Sequence, residues 1–174
     1  MFARYFLALL PDAAARIALA GPAPAEPVRR VHPDDLHLTL AFLGELRAPS
    51  PERLLEALVP ACRGCGAIYV VLERTETWPR PRAACAAGEV PRAAALSTVL
   101  WQSLAAFGYR ADPRPFRAHV TLARRLPRSV GETVSPFPVP IAWTSREIVL
   151  MASAADAGPA GPPRYRILGR CPLD

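Results

Sequence analysis

The chain has 174 residues, of which 51% are hydrophobic and 21% charged, values typical of one globular domain. Its net charge of +6 comes from 21 basic residues, all of them arginine, against 15 acidic ones, which is compatible with a polyanionic partner. No apolar run approaches the ~20 residues of a membrane span. The apolar start lacks the basic region and cleavage site of a signal peptide, so we expect a cytoplasmic protein.

Hydrophobic periodicity and turn residues predict an alternation of strands and helices. In the first half we expect a strand at 3–10, a helix from 11 to 22, an edge strand at 28–32, a turn at 33–35, a strand at 36–43 and a helix starting at Ser50-Pro51-Glu52. In the second half we expect strands at 67–77 and 83–88, a helix at 91–107 ending at Gly108, a strand at 117–123, and a closing antiparallel pair at 142–152 and 164–171.

Several of these strands follow one another too closely for crossover connections, which favours an α+β architecture. The order strand, helix, strand occurs twice, which suggests two similar lobes. No linker divides the chain, so we expect one bilobal domain over residues 1–174. The Gly/Pro-rich loop at 156–163 is predicted to be mobile.

Two short segments repeat one pattern: His37-Leu38-Thr39-Leu40 and His119-Val120-Thr121-Leu122. Alternation along a strand places each histidine on the same face as the threonine two residues later. Strict alternation would add Ala41 and Ala123 to these faces. With three His, seven Thr and 21 Leu in the chain, chance would produce this repetition in on the order of one chain in ten thousand.

The residue types suit acid–base chemistry on a phosphate. Histidine titrates near neutral pH, so one imidazole can accept a proton while another donates one. Threonine hydroxyls can donate to the nonbridging phosphate oxygens. Hydrolysis of a cyclic phosphodiester requires such a pair, with a base that activates water and an acid that protonates the leaving oxygen. The pattern predicts this reaction without a metal ion or another cofactor.

The chain resembles the 2H phosphoesterase superfamily, specifically the RNA 2′,3′-cyclic phosphodiesterases (LigT/ThpR-like, also called 2′-5′ RNA ligases). The resemblance covers nearly the whole chain. It is carried by the segments 4–9, 36–44, 115–124 and 150–153, by Tyr165 and by the closing Pro172-Leu173. It implies a bilobal α+β fold with two pseudo-symmetric lobes, antiparallel sheets lining a central cleft, and helices outside.

The resemblance also implies the roles of the site residues. His37 is expected to donate a proton to the leaving group and His119 to accept one from water, with Thr39 and Thr121 binding the phosphate. The expected product is an RNA 2′-phosphomonoester, formed from an RNA end that carries a 2′,3′-cyclic phosphate. We expect a monomeric enzyme with no membrane or metal partner.

Two further candidate positions each lie five residues after a histidine. Arg124 matches a phosphate-binding arginine of the family, but strict alternation favours Arg125, so a bulge or strand end is needed. Phe42 matches a residue that contacts the base or ribose of the substrate, whereas core packing is an equally good interpretation of its pattern.

The chain departs from the family pattern at Ala118, where many members have proline, and near Val31-His32, where they have an aromatic residue. We expect His32 to be a surface residue in a turn. The lone Cys62-x-x-Cys65 pair has no second ligand pair and is expected to be structural or incidental.

Three functions remain open. The first is the RNA-end cyclic phosphodiesterase. The second is another 2H enzyme that acts on a small cyclic nucleotide or ADP-ribose cyclic phosphate, or that joins 2′-5′ RNA ends in reverse. The third is a binding module that holds RNA ends without turnover, which would have little need for two histidines.

Overall fold

The computed structural model describes residues 3–21, 28–153 and 163–174, so the expected loop at 156–163 lies outside them except for Pro163. The strands are β1 (Tyr5–Leu9), β2 (Arg29–Arg30), β3 (Leu38–Gly44), β4 (Ile68–Trp78), β5 (Ala83–Ala87), β6 (His119–Arg124), β7 (Thr133–Ser145), β8 (Glu147–Ser153) and β9 (Tyr165–Pro172). The helices are α1 (Ala13–Ala20), α2 (Pro51–Cys62) and α3 (Pro91–Leu104), with 3₁₀ turns at Pro33–Asp35 and Ala105–Phe107.

The helices begin and end where the sequence provides caps. The side chain of Asp12 accepts a hydrogen bond from the backbone of Ala15 at the start of α1, and Ser50 caps α2 in the same way. Pro51 and Pro91 occupy the first turns of α2 and α3, where a missing N–H costs nothing. Gly108 ends the helical segment with φ of 76°, a conformation that glycine adopts without strain.

The strands of the described ranges form an antiparallel nine-stranded sheet in the order β7-β4-β5-β6-β3-β1-β8-β9, with β2 also paired to β6. Each half has four main strands. Its histidine strand, β6 or β3, is the innermost of the four and lies at the centre of the whole sheet. The halves meet where Leu38 of β3 pairs with Val120 of β6. The expected α+β class is confirmed. The two sheets implied by the resemblance are joined here into one.

The first part of β7 was not predicted from the sequence, because Pro136, Pro138 and Pro140 interrupt it. Proline cannot donate to a sheet ladder and is therefore confined to edge strands and bulges. β7 is an edge strand that pairs with β4 along most of its length. The predicted closing pair is confirmed in part. β8 and β9 run antiparallel from Glu147↔Pro172 to Ser153↔Tyr165, but residues 142–145 of the predicted strand belong to β7.

The main core lies between the helices and one face of the sheet, and both halves contribute to it. Leu38 and Val120, at the junction, are fully buried in this core. Leu54 of α2 and Leu100 of α3 are buried in the same cluster. The opposite faces of β3 and β6 carry the two histidines and their threonines. None of the described helices has the length and apolar character that crossing a bilayer requires.

Candidate active site at the junction of β3 and β6

His37 is held by a hydrogen bond from its own chain. Its Nδ1 lies 2.6 Å from the carbonyl oxygen of Asp35. A carbonyl can only accept, so Nδ1 carries the proton and Nε2 remains available for acid–base chemistry. The 3₁₀ turn before β3 positions this carbonyl. The turn is capped by His32, whose Nδ1 accepts from the backbone N–H of Asp34 at 3.2 Å.

Two aromatic rings enclose the imidazole of His37. Phe6 stacks on it at 4.6 Å between ring centroids, and Tyr165 meets it edge-on at 5.3 Å. The resulting desolvation lowers the pKa of His37 to about 4, although the bond to Asp35 opposes the shift. The positive charges of Arg124 and His119 lower it further.

His119 has the same arrangement in β6. Its Nδ1 lies 2.8 Å from the carbonyl oxygen of Arg117, two residues earlier, which again leaves Nε2 free. The indole of Trp78 covers the ring at 4.6 Å between centroids. Burial lowers the pKa of His119, the bond to the carbonyl opposes this shift, and the charges of Arg117 and Arg124 lower the pKa further.

A buried carboxylate supports the His119 side of the site. Glu76 is only 4% exposed, and its oxygens accept from Arg74 Nε at 2.9 Å, Trp78 Nε1 at 2.8 Å and Arg117 at 2.5 Å. The Arg117 guanidinium also lies over the Trp78 ring at 4.7 Å. Burial alone would raise the pKa of Glu76, but these donors and charges outweigh it and lower the pKa. Glu76 thus fixes two residues that touch His119.

A β-bulge in each histidine strand changes the expected alternation of faces. Between β1 and β3, Ala8 pairs with Thr39 and the next β1 residue, Leu7, pairs with Ala41, so Leu40 is an extra residue. The serine hydroxyl of Ser97 on α3 donates to the Leu40 carbonyl at 2.6 Å. The bulge turns Ala41 into the core and brings Phe42 to the cleft face.

The second bulge occupies the equivalent place in β6. Cys85 pairs with Thr121, whereas the preceding β5 residue, Ala84, pairs with Ala123, so Leu122 is the extra residue. Ala123 is fully buried and Arg124 is exposed. The Cys85 thiol lies 4.0 Å from the Thr121 hydroxyl, and desolvation raises the pKa of this thiol to about 11.

The bulges correct two expectations from strict alternation. Ala41 and Ala123 do not share the faces of His37 and His119, because both are buried in the apolar side of the sheet. Phe42 and Arg124 take those positions instead. Phe42 is 55% exposed, so it is not a core residue. Arg124 needed a bulge or strand end to share the face of His119, and the bulge is present. Arg125 lies past the end of the strand, with φ of 62°.

An open cleft of about 1100 Å³ lies beside these residues. Of the predicted site residues, Thr39, Phe42 and His119 line it, together with Trp78 and Arg117. His37, Thr121 and Arg124 are not among the lining residues. Its volume is large enough for a nucleotide, since ligand pockets measure roughly 300–1,000 Å³.

Comparison with known proteins identifies the family. Residues 12–85 match the family model for LigT-like phosphoesterases. The chain is 34% identical over 137 residues to the RNA 2′,3′-cyclic phosphodiesterase of Escherichia coli K12, a match covering 78% of this chain and 76% of the relative. The chain belongs to the LigT-like phosphoesterase family.

Solved structures agree with this membership. The crystal structure of a phosphoesterase superposes with a TM-score of 0.80 at 30% identity, over 99% of both chains. E. coli LigT complexed with 3′-AMP superposes with a TM-score of 0.80 at 31% identity, over 98% of this chain and 97% of that one. The α+β fold of this family, inferred from the sequence resemblance, is therefore the observed fold, with its two sheets joined into one.

In this LigT-like phosphoesterase, several residues around the histidines were not anticipated from the sequence. Phe6 and Tyr165 enclose His37 although they come from opposite ends of the chain. Trp78 and Glu76 lie on β4, and their alternation with Arg74 marks one face of that strand. This alternation was visible in the sequence as a sign of one polar strand face. It does not indicate which residues of other strands lie beside that face.

The remaining candidates of the sequence lie away from the site chemistry. Cys62 is buried at the end of α2, and all four cysteines are free thiols. Burial raises the pKa of Cys62, with a further contribution from Cys171. Within residues 3–21, 28–153 and 163–174, no group of three or more His, Cys, Asp or Glu side chains is arranged to hold a metal ion.

Proposed function

We propose that this phosphoesterase hydrolyses RNA 2′,3′-cyclic phosphate ends to 2′-phosphomonoester ends by acid–base catalysis with two histidines and no metal ion. One observation carries the proposal. His37 and His119 each bind a carbonyl through Nδ1, each follow that carbonyl by two residues, and each stand beside a threonine at the β3–β6 junction. The RNA substrate is supported by the activity named for the E. coli relative.

The proposed reaction balances in one displacement. A water molecule attacks phosphorus and gives a proton to Nε2 of His119, while the bond from phosphorus to the 3′ oxygen breaks. The 3′ oxygen takes a proton from Nε2 of His37. The products are a 2′-phosphomonoester and a 3′ hydroxyl, and proton exchange with solvent restores the histidines.

Thr39, Thr121 and Arg124 would hold the phosphate during this step. The hydroxyls can donate to nonbridging oxygens, and the guanidinium supplies charge-assisted bonds. Phe42, exposed on the same face, would contact the base or ribose. These assignments agree with the two bulges, which turn Phe42 and Arg124 toward the histidine faces.

Protonation of His37 depends on the substrate in this scheme. With a pKa of about 4, His37 is protonated in about one molecule in a thousand at pH 7 when the site is empty. A bound phosphate anion favours the imidazolium and raises the pKa of His37. Substrate binding therefore produces the acid that the leaving group needs.

The direct test uses an oligoribonucleotide that ends in a 2′,3′-cyclic phosphate, incubated with and without EDTA. We expect the 2′-phosphomonoester in both conditions, and loss of at least ~10²-fold in rate for His37→Asn and His119→Asn. Asparagine is suitable because its amide can keep the bond to the carbonyl while removing Nε2. Full activity of either variant, a 3′-phosphate product or dependence on metal would contradict the proposal. Tight binding without turnover would favour a binding module.

A further inference from the structure

Asp35 is a buried acidic residue whose side chain has no part in the proposed reaction. It ends the 3₁₀ turn Pro33–Asp35, two residues before His37, and only 2% of its surface is exposed. A carboxylate is costly to bury unless other groups bind it. The partners of this carboxylate therefore indicate what its burial achieves.

The carboxylate of Asp35 binds the start of β9, far along the chain. Its Oδ2 accepts a hydrogen bond from the backbone N–H of Arg164 at 2.9 Å, and its Oδ1 accepts one from the backbone N–H of Tyr165 at 3.1 Å. Hydrogen bonds to an ionised acceptor are stronger than those between neutral groups. The two oxygens thus fix two successive amides of β9 against the 3₁₀ turn.

Tyr165 in turn contacts His37. Its ring meets the imidazole edge-on at 5.3 Å between centroids and meets Phe6 in the same way at 5.0 Å. Phe6 stacks on the imidazole at 4.6 Å, so the three rings contact one another. Because Asp35 binds the amide of Tyr165, the position of the tyrosine ring against His37 depends on the side chain of Asp35.

The main chain of Asp35 holds the same imidazole from another direction. Its carbonyl oxygen accepts the Nδ1 proton of His37 at 2.6 Å, which selects the tautomer with a free Nε2. This bond sets the direction of Nδ1, and the contact with Tyr165 limits rotation of the ring about it. Desolvation lowers the pKa of His37, and the charge of the Asp35 carboxylate is one of the effects that oppose this shift.

We propose that Asp35 is a positioning residue for the proposed acid, and that it directs Nε2 of His37 at the leaving oxygen through its carbonyl and through Tyr165. The inference rests on the proposed function, in which His37 protonates the 3′ oxygen. An acid must lie within hydrogen-bond reach of the atom that it protonates, and a misplacement of about 1 Å can cost about 10²-fold in rate. Loss of the Asp35 carboxylate should therefore slow the step that His37 performs.

Asp35→Asn tests this role because it keeps the size of the side chain but turns an NH₂ group toward one of the two backbone N–H donors. With an oligoribonucleotide 2′,3′-cyclic phosphate, we expect kcat to fall about 10–100-fold while KM stays within about twofold. Asp34→Asn is the matched control. Asp34 lies in the same turn, but its side chain is 60% exposed and pairs with Arg16 at the surface, so both parameters should stay within about twofold.

A sulfur leaving group distinguishes positioning of the acid from general damage to the site. With sulfur in place of the 3′ bridging oxygen, the leaving group departs without a proton, so the contribution of His37 is not needed. On this substrate, Asp35→Asn should be within about threefold of the wild type. An equal loss with both substrates would indicate a merely structural role, and full activity with the oxygen substrate would indicate no role. Either result would overturn the proposal.

Tyr165 provides a second variant if Asp35→Asn does not fold. Tyr165→Leu keeps the backbone amide that Asp35 binds but removes the ring, and it should show the same selective loss with the oxygen substrate. Tyr165→Phe restores the ring and should recover kcat to within about threefold of the wild type. A loss that Tyr165→Phe does not recover, or no loss in Tyr165→Leu, would refute the route through Tyr165.

Nitrogen NMR of the histidines separates this inference from the proposed function, because it needs no substrate. At pH 7, wild-type His37 should be a single neutral tautomer with its proton on Nδ1. Asp35→Asn and Tyr165→Leu should increase the share of the other tautomer, and Asp34→Asn should match the wild type. If the wild type hydrolyses neither substrate, the proposed function fails and the NMR result decides the role of Asp35. An unchanged tautomer in the folded variants would then refute that role.

Discussion

Leu38 lies directly opposite Val120, and both side chains are fully buried beneath the histidine faces. Each histidine immediately precedes one member of this pair, His37 before Leu38 and His119 before Val120. The pair therefore brings the two histidine motifs together at the junction of the halves. The complete set of two imidazoles and two threonine hydroxyls exists only because the two halves of the sheet meet at this pair.

The lowered pKa values of both histidines predict an acidic optimum for the free enzyme. The proposed reaction needs His37 protonated and His119 neutral. The pKa of His37 is about 4 and that of His119 lies below its ordinary value of 6.5. Raising the pH leaves both imidazoles neutral and removes the acid, whereas lowering the pH protonates both imidazoles and removes the base. We expect a bell-shaped kcat/KM profile with its maximum below pH 6.5.

The kcat profile should differ from the kcat/KM profile. It reports the complex, in which the phosphate raises the pKa of both imidazoles, so its maximum should lie at higher pH. Measuring both parameters from pH 3.5 to 9 tests this shift. Superimposable profiles, or a flat kcat/KM, would contradict a substrate-dependent protonation of His37.

A sulfur leaving group separates the two histidine roles, which a pH profile cannot do. Sulfur in place of the 3′ bridging oxygen leaves without protonation. His37→Asn should therefore lose about 10²–10⁴-fold with the oxygen substrate but less than tenfold with the sulfur substrate. His119→Asn should be impaired with both substrates. The opposite pattern in single-turnover rates would exchange the assigned acid and base.

Much of the architecture was predictable because its signals are local. The caps Asp12 and Ser50 and the stop at Gly108 acted where the sequence placed them. The duplicated histidine segments form strands, as their alternation indicated. The fold class could be inferred from the spacing of elements. The paired use of both motifs at one site came only from the family resemblance, since spacing alone does not reveal which strands meet.

The errors arose where a longer-range interaction overrides a local pattern. Alternation placed Ala41 and Ala123 beside the histidines, but each bulge adds a residue that the partner strand dictates. The prolines of β7 obscured a strand because its pairing uses only the edge of the sheet. Glu76 was missed because its function depends on contact with Arg117, 41 residues later.

The β6 bulge predicts different consequences for two adjacent arginines. Arg124→Gln should lower kcat/KM for a cyclic mononucleotide by about 10²-fold, the usual cost of removing one group that stabilises the transition state. Arg125→Asn should change this value by less than threefold, because Arg125 lies past the strand end and asparagine tolerates its positive φ. Arg128→Gln is an exposed control on the following turn.

The same Arg124 variant has a readout that needs no substrate. Its charge lowers the pKa of both His37 and His119, so Arg124→Gln should raise both values in an NMR titration. Unchanged histidine pKa values would mean that Arg124 does not lie near the imidazoles, whatever happened to activity.

Glu76 is expected to position His119 through Trp78 and Arg117. Glu76→Gln removes the charge that holds Arg117, whose carbonyl orients His119. Loss of such a supporting contact typically costs about 10–100-fold in activity at comparable sites, and we expect the effect in kcat rather than KM. Glu73→Gln is the matched control, since Glu73 is an exposed carboxylate on the same strand and its 4.0 Å distance to Arg74 is long for a salt bridge.

Stability should follow the titration of Glu76, which separates positioning from general damage. The pKa of Glu76 is lowered in the folded state, so its ionised form stabilises the fold above the unfolded pKa of 4.5, and this contribution disappears as pH falls through the folded value. Because both arginines are partly exposed, we expect Glu76→Gln to cost about 1–3 kcal/mol at pH 7 and less at pH 3. A chemical-denaturation series at both values measures the difference. A pH-independent loss of stability would mean that the variant acts through packing. In that case, a loss of kcat measured at pH 6 on folded protein would still support positioning of His119 by Glu76.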